Sequence, residues 1–255
     1  MRASLTLARF VLLEARRSGL PLLVLGALAA AIGLAGFLSQ LALIESAALQ
    51  AGILAAFFRV LVVFLTASFV VTSMVRESGD KGLELLLSLP ISRASYYLGK
   101  LAGFAASGAI LAVLFSLVML IWGSPISVAA WCTSLMVEAA LIAAISLFFV
   151  VTLGQIVPSL AAIASVYFLG RVMSAIQAIS ASPVTGDDSV VHRLSGWGID
   201  AVALLLPALD QATQTVWLLY GPPSAGEFLR AIGTMVIYAT VVVAAGLFDF
   251  HRRNL

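Results

Sequence analysis

Few side chains in this chain could do chemistry, and their spacing narrows what that chemistry is. Arg59, Glu138 and Arg171 each interrupt a long apolar stretch. A charge facing hydrocarbon is costly, so such groups turn toward other protein or toward a polar path. They support two readings, a structural ion-pair network or the lining of a translocation path. Metal chemistry has little material: His192 and His251 are predicted on opposite sides of a membrane, Cys132 is the sole cysteine, and the six Met do not cluster. A phosphate-cradling loop needs G-x-x-x-x-G-K-[ST]. Gly99-Lys100 instead has Ala94 at the first glycine position and Leu101 after the lysine, so the chain is not expected to hydrolyse ATP. The Ser and Asp residues around His192 read as loop polarity rather than a catalytic triad. No catalytic, cofactor-binding or metal-binding residue is assigned.

The elements holding these charges follow from composition. Of 255 residues, 62% are apolar and 10% charged, against about 25% charged in soluble domains. This excludes a soluble globule, which could not hide so much apolar surface, and it excludes disorder. The net charge of +2 gives no reason to expect nucleic acid. A span needs about 20 apolar residues, and six fit: 18–44, 46–75, 101–122, 130–153, 158–179 and 231–248. Breaks fall at Gly123-Ser124-Pro125 and from Gly154 to Pro158. Arg59, Glu138 and Arg171 then sit on spans two, four and five, each roughly 12 Å inside the outer end. The expected fold is all-α and a single transmembrane domain. It has an amphipathic interfacial helix over 1–17, a cytoplasmic loop over 76–100 and an external, partly re-entrant segment over 180–228. The first apolar run is too long for a signal peptide and follows 17 largely polar residues, so it is read as a retained span.

Basic residues set the orientation. Arg2, Arg9, Arg16, Arg17, Arg76, Lys81, Arg93, Lys100, Arg252 and Arg253 share one side if there are six spans. Arg193 and Arg230 lie opposite, among most of the acids. Both termini are therefore expected in the cytoplasm of a cell whose inner membrane the chain crosses. Within the external segment, 182–189 is polar, whereas 199–220 is apolar but interrupted by Pro207 and Asp210. Two half-length helices dipping into the membrane fit it better than a seventh span, and the segment offers a surface to an external partner.

The richest stretch is RESGDKGLELLLSLPISRASYYLGK, residues 76–100. Glu77 and Lys81 are spaced to pair on a helix. Gly82 can cap a short helix over 83–89 that Pro90 ends, and Ser92 can cap the next helix. Five leucines on a short, charged-side helix need a cover: the protein's own helix ends, lipid, or a groove on another protein.

Glu84-Leu85-Leu86-Leu87-Ser88-Leu89-Pro90-Ile91-Ser92-Arg93 followed by Leu98-Gly99-Lys100 resembles the first cytoplasmic loop of type-2 ATP-binding-cassette (ABC) permeases. It departs at Lys81-Gly82, where Gly-Thr is usual in that family. The resemblance implies a coupling helix docking on a nucleotide-binding ATPase through Gly82, Leu83, Glu84, Leu86, Leu87, Pro90 and Arg93. ATP and Mg would be bound by that partner, in a complex of two permeases, a homodimer, with two ATPases. It further implies a path between spans two and five of two protomers, which would place Arg59 and Arg171 along it and suit anionic or zwitterionic headgroups. The segment Leu205-Leu206-Pro207-Ala208-Leu209-Asp210 is similar to a Pro-x-x-Asp element of permeases serving copper-site assembly of nitrous oxide reductase, without the flanking Asn and Arg often found there.

The expected function is the permease subunit of an ABC exporter of unidentified substrate. The rivals are an ion-coupled secondary transporter using Glu138 or Arg171, and a non-transporting assembly factor. Against the first rival, no internal repeat is evident. Small residues recur every four positions at Gly99, Gly103 and Ser107, and at Ala27, Ala31 and Ala35. These stripes suit close helix packing. Residues 2–17 can also bind anionic lipid.

Overall fold

The computed structural model describes residues 2–41, 46–79, 92–181 and 190–252. They form helices α1 (Arg2–Arg17), α2 (Leu20–Leu41), α3 (Ser46–Gly79), α4 (Arg93–Met119), α5 (Pro125–Leu153), α6 (Ile156–Ala181), α7 (Val190–Leu205), α8 (Val216–Leu219) and α9 (Ala225–Arg252), with a 3-10 turn at Leu209–Gln211. No strand occurs among the described residues. The helices α2, α3, α4, α5, α6 and α9 are long and apolar enough to cross a membrane.

Local chemistry explains where they start and stop. Ser92 accepts from the Ser95 N–H at 3.2 Å, and Ser124 accepts from the Ser127 N–H at 3.2 Å. Both are helix N-caps. Gly154 closes α5 in the left-handed conformation, φ +68°, its N–H bonded to Val150 O at 2.9 Å. Helices α5 and α6 begin earlier than apolar length alone predicts. Pro125 and Pro158 occupy first turns, where a missing N–H costs nothing, so α5 starts at Pro125 rather than near 130, and α6 at Ile156.

Both ends of the described chain lie at one end of the bundle, since Phe250 stacks on Tyr96 and Ser4 lies against Gly99. The segment from α7 to α8 dips into the bundle from the other, distal end. Its halves 196–205 and 209–219 meet at 69°. Pro207 reaches Gly170 in mid-α6, and Leu218 returns to the Gly123 break. The polar stretch 182–189 lies outside the described residues.

In lipid, helices gain little by burying apolar surface against each other, so close packing must hold them. Phe58 and Phe115 stack at 4.9 Å across α3 and α4. The glycine stripe of α4 receives α1, an amphipathic helix, rather than another span. A Cβ on Gly103 would lie 2.6 Å from Val11 Cβ, and one on Gly99 would lie 2.9 Å from Ser4 O. In α2, Ala27 and Ala31 are buried and Ala35 is half-buried. Gly103→Val is therefore expected to undock α1 at a cost of about 1–3 kcal/mol. Faster tryptic cleavage at Arg16 and Arg17 would report it, while Gly33→Val, at a position with nothing within 4 Å, would cleave as wild type does.

Candidate functional site

Two clusters join polar side chains from three or more elements of the bundle. The first builds on α6, where Gly170 leaves room that a Cβ would take from Pro207 O, 2.7 Å away. That room admits the turn following α7, whose carbonyl groups then face the neighbouring arginines. Arg171 donates from Nη1 to Leu209 O and, at 2.9 Å, to Ala212 O, with Nη2 3.5 Å from Thr213 O. Arg59 on α3 donates from Nη1 to Thr213 O at 3.0 Å. From α5, Ser134 Oγ accepts the Thr213 N–H at 2.9 Å and lies 3.1 Å from Thr213 Oγ1.

Thr213 is thus fully buried with its backbone N–H, carbonyl and hydroxyl all engaged, by three different helices. It is also the one non-glycine residue with positive φ, +49°, among the described residues. That conformation costs a β-branched residue on the order of 1–3 kcal/mol, and the converging hydrogen bonds hold it there.

Glu138 lies one turn beyond Ser134 and is 0% exposed. Neither carboxylate oxygen makes a hydrogen bond, and no ion pair joins it to Arg59 or Arg171. It stands near enough to act electrostatically on Arg59 and Tyr167. Tyr167 flanks Arg59, but its hydroxyl closes no hydrogen bond of acceptable geometry, and Arg59 Nε and Trp131 Nε1 also lack partners.

The three charges that interrupt the apolar helices are therefore brought together, with the arginines engaged by backbone carbonyls and the carboxylate left without a hydrogen bond. Arg59 and Glu138 are each 13 residues from the distal ends of their helices, Ser46 and Pro125, or about 20 Å. Beside them an apolar groove of about 440 Å³ separates α3 from α6, lined by Val60, Phe64, Leu160, Ala164 and Tyr167 among others. The Ser134 and Thr213 hydroxyls are bonded to each other rather than to a basic side chain, and the cluster can hold a turn and orient polar groups.

The second cluster lies at the termini end, where segment 80–91 leaves α3 and returns to α4. Lys100, 1% exposed, is ion-paired with Glu77, whose Oε1 also accepts from the Tyr96 hydroxyl at 3.0 Å. The rings of Phe10 and Phe104 lie 5.8 and 5.9 Å from Lys100 Nζ. Glu14 of α1 accepts from Ser73 Oγ at 2.8 Å. From α9, Phe250 stacks on Tyr96 at 5.8 Å, and Arg93 donates to His251 O at 3.3 Å. Gly246 admits the Tyr97 hydroxyl where any Cβ would collide with it.

Glu77, expected to pair with Lys81, is thus engaged by Lys100 and Tyr96, and Lys81 lies outside the described residues. So do Gly82, Leu83, Glu84, Leu86, Leu87 and Pro90 of the expected docking set, leaving Arg93 as its described member.

Ser134, Tyr167, Gly170 and Thr213 were not singled out from the sequence. Two carried a usable signal: Ser134 precedes Glu138 by four residues, and Tyr167 precedes Arg171 by four, placing each pair on one helix face. Comparison with protein families finds no matching model, and comparison with curated proteins finds no match.

Proposed function

We propose that the chain is the permease subunit of an ABC transporter, moving an amphiphilic substrate with energy from a separate nucleotide-binding ATPase. One observation chiefly supports this: α3 and α4, which flank segment 80–91, are tied together by the pair of Glu77 with the buried Lys100, where α1 and α9 also converge. A push on that segment then moves α3 and α4 as a unit, and α3 carries Arg59 toward the groove it shares with α6. In this reading Gly82, Leu83, Glu84, Leu86, Leu87, Pro90 and Arg93 meet the ATPase, which binds ATP and Mg. Two permeases pair as a homodimer in the cytoplasmic membrane with their termini inside.

The test is copurification. A nucleotide-binding subunit is expected to come down with the tagged chain. Glu84→Arg and Leu86→Asp are expected to cut its recovery and ATP-driven transport about tenfold, or about 1.4 kcal/mol, without blocking membrane insertion. Wild-type recovery and transport in both variants would overturn the docking assignment.

The buried carboxylate of Glu138, without hydrogen bond or ion pair, favours a second reading, an ion-coupled secondary transporter. Gradient-driven flux by the chain alone, lost in Glu138→Gln, would select that reading over the first.

A further inference from the structure

Helix α1 carries apolar side chains on two faces. Leu7 and Val11 are buried, whereas Leu5, Phe10 and Leu13 are each more than half exposed. The chain turns at Ser18 and Gly19 directly into α2, a helix able to cross a membrane. The C-terminal end of α1 therefore sits where hydrocarbon gives way to headgroups, and its exposed apolar face meets lipid.

At that level lies a cavity of about 290 Å³ lined by Phe10, Leu13, Glu14, Arg17, Ser18 and Arg76. Arg17 comes from the last turn of α1 and Arg76 from near the end of α3, so the fold alone brings them together. Among the described residues neither guanidinium has a hydrogen-bond or ion-pair partner. The other polar side chains each make at least one hydrogen bond. Glu14 Oε1 accepts from Ser73 Oγ at 2.8 Å, while Ser18 Oγ donates to Ala15 O at 2.8 Å and accepts from the Leu20 N–H at 3.3 Å.

The cavity therefore has two unpartnered cationic forks, one engaged carboxylate and an apolar wall that faces the bilayer. A guanidinium fork matches phosphate oxygens two at a time. The volume is at the small end for ligand cavities, suiting a headgroup whose acyl chains remain in the membrane beside Phe10 and Leu13.

We infer that this cavity binds the phosphate of an anionic phospholipid from the leaflet on the termini side. The inference does not depend on the transport reading. The full chain would be placed in nanodiscs of phosphatidylcholine alone and of equal parts phosphatidylcholine and phosphatidylglycerol, and retained lipid counted by native mass spectrometry. Wild-type protein is expected to retain phosphatidylglycerol, and Arg17→Ala/Arg76→Ala to retain about tenfold less. Arg9→Ala/Arg16→Ala removes equal charge outside the cavity and is expected to retain the wild-type amount. Inorganic phosphate, read by thermal shift in the phosphatidylcholine discs, is expected to add no stability. Arg17→Lys/Arg76→Lys keeps the charge and the fold but not the forks, and is expected to fall between wild type and the alanine pair. Equal loss in the Arg9/Arg16 control would reduce the effect to general surface charge and overturn the site. Full retention by the Arg17/Arg76 alanine pair, or equal stabilisation by inorganic phosphate, would overturn it as well.

Discussion

Arg171→Ala is expected to destabilise the purified protein by about 3 kcal/mol, the upper range for hydrogen bonds to a charged group. Its guanidinium serves the carbonyls of Leu209 and Ala212 and reaches toward Thr213. Removing it strands the buried Ala212 carbonyl, whereas Leu209 O keeps the Ala212 N–H at 3.2 Å and Thr213 O keeps Arg59. A lysine cannot replace the fork, because one ammonium cannot reach the same carbonyls in the same plane, so Arg171→Lys is expected to recover less than half the loss. Arg59→Ala should cost less, since Arg59 makes one bond to the turn. The double variant should cost less than the sum, because both arginines share Thr213 O. Position 212 can report the turn's release, because Ala212 is fully buried in the wild-type bundle. In a Cys132→Ser background, the thiol introduced by Ala212→Cys should resist a membrane-impermeant maleimide, then react once Arg171 is removed. An unchanged melting midpoint together with an unreactive thiol at that position would show that the turn is held by something other than the arginines.

The limits of sequence reading are visible in this same turn. That Arg59, Glu138 and Arg171 are special is legible, because each breaks an apolar run. The arginines' partners are not, because a backbone carbonyl has no signature in the amino-acid string, and the carbonyls belong to a turn more than 30 residues away. Thr213 is hidden for a stronger reason. Its positive φ opposes the preference of a β-branched residue, so local propensity points away from the conformation that tertiary contacts impose. The six long helices are legible from apolar length, and their breaks from Gly123 to Pro125 and at Gly154. The starts of α5 and α6 fall earlier than expected because proline, a breaker inside a helix, is accepted in its first turn. Gly99 and Gly103 of α4 announce close packing without naming the partner, which is α1. Lys100 is legible as part of a loop pattern, whereas its pairing with Glu77, 23 residues earlier, is a product of the fold.

That pair sets up the second large effect. Glu77→Leu is expected to cost about 3–5 kcal/mol, because it strands the ammonium of Lys100, the more buried partner, with only the rings of Phe10 and Phe104 for compensation. Lys100→Met strands a carboxylate that is 14% exposed and keeps the Tyr96 hydroxyl, so it should cost less. Glu77→Leu/Lys100→Met removes both charges together with their desolvation penalty, and is expected to recover most of the Glu77→Leu loss, remaining about 1–3 kcal/mol below wild type because the buried Tyr96 hydroxyl loses its acceptor. This double variant separates holding α3 and α4 together from transmitting force through them. Leucine and methionine can pack, but they slide where an ion pair with a tyrosine bond fixes one register. On the proposed function, if α3 and α4 must move in register to couple ATP hydrolysis to transport, the double variant should bind the proposed nucleotide-binding subunit normally yet transport about tenfold more slowly, equivalent to about 1.4 kcal/mol. A purely structural pair predicts the reverse, with transport restored as stability is restored. Wild-type transport in the stable double variant would therefore remove the junction from the coupling mechanism and leave it as packing alone.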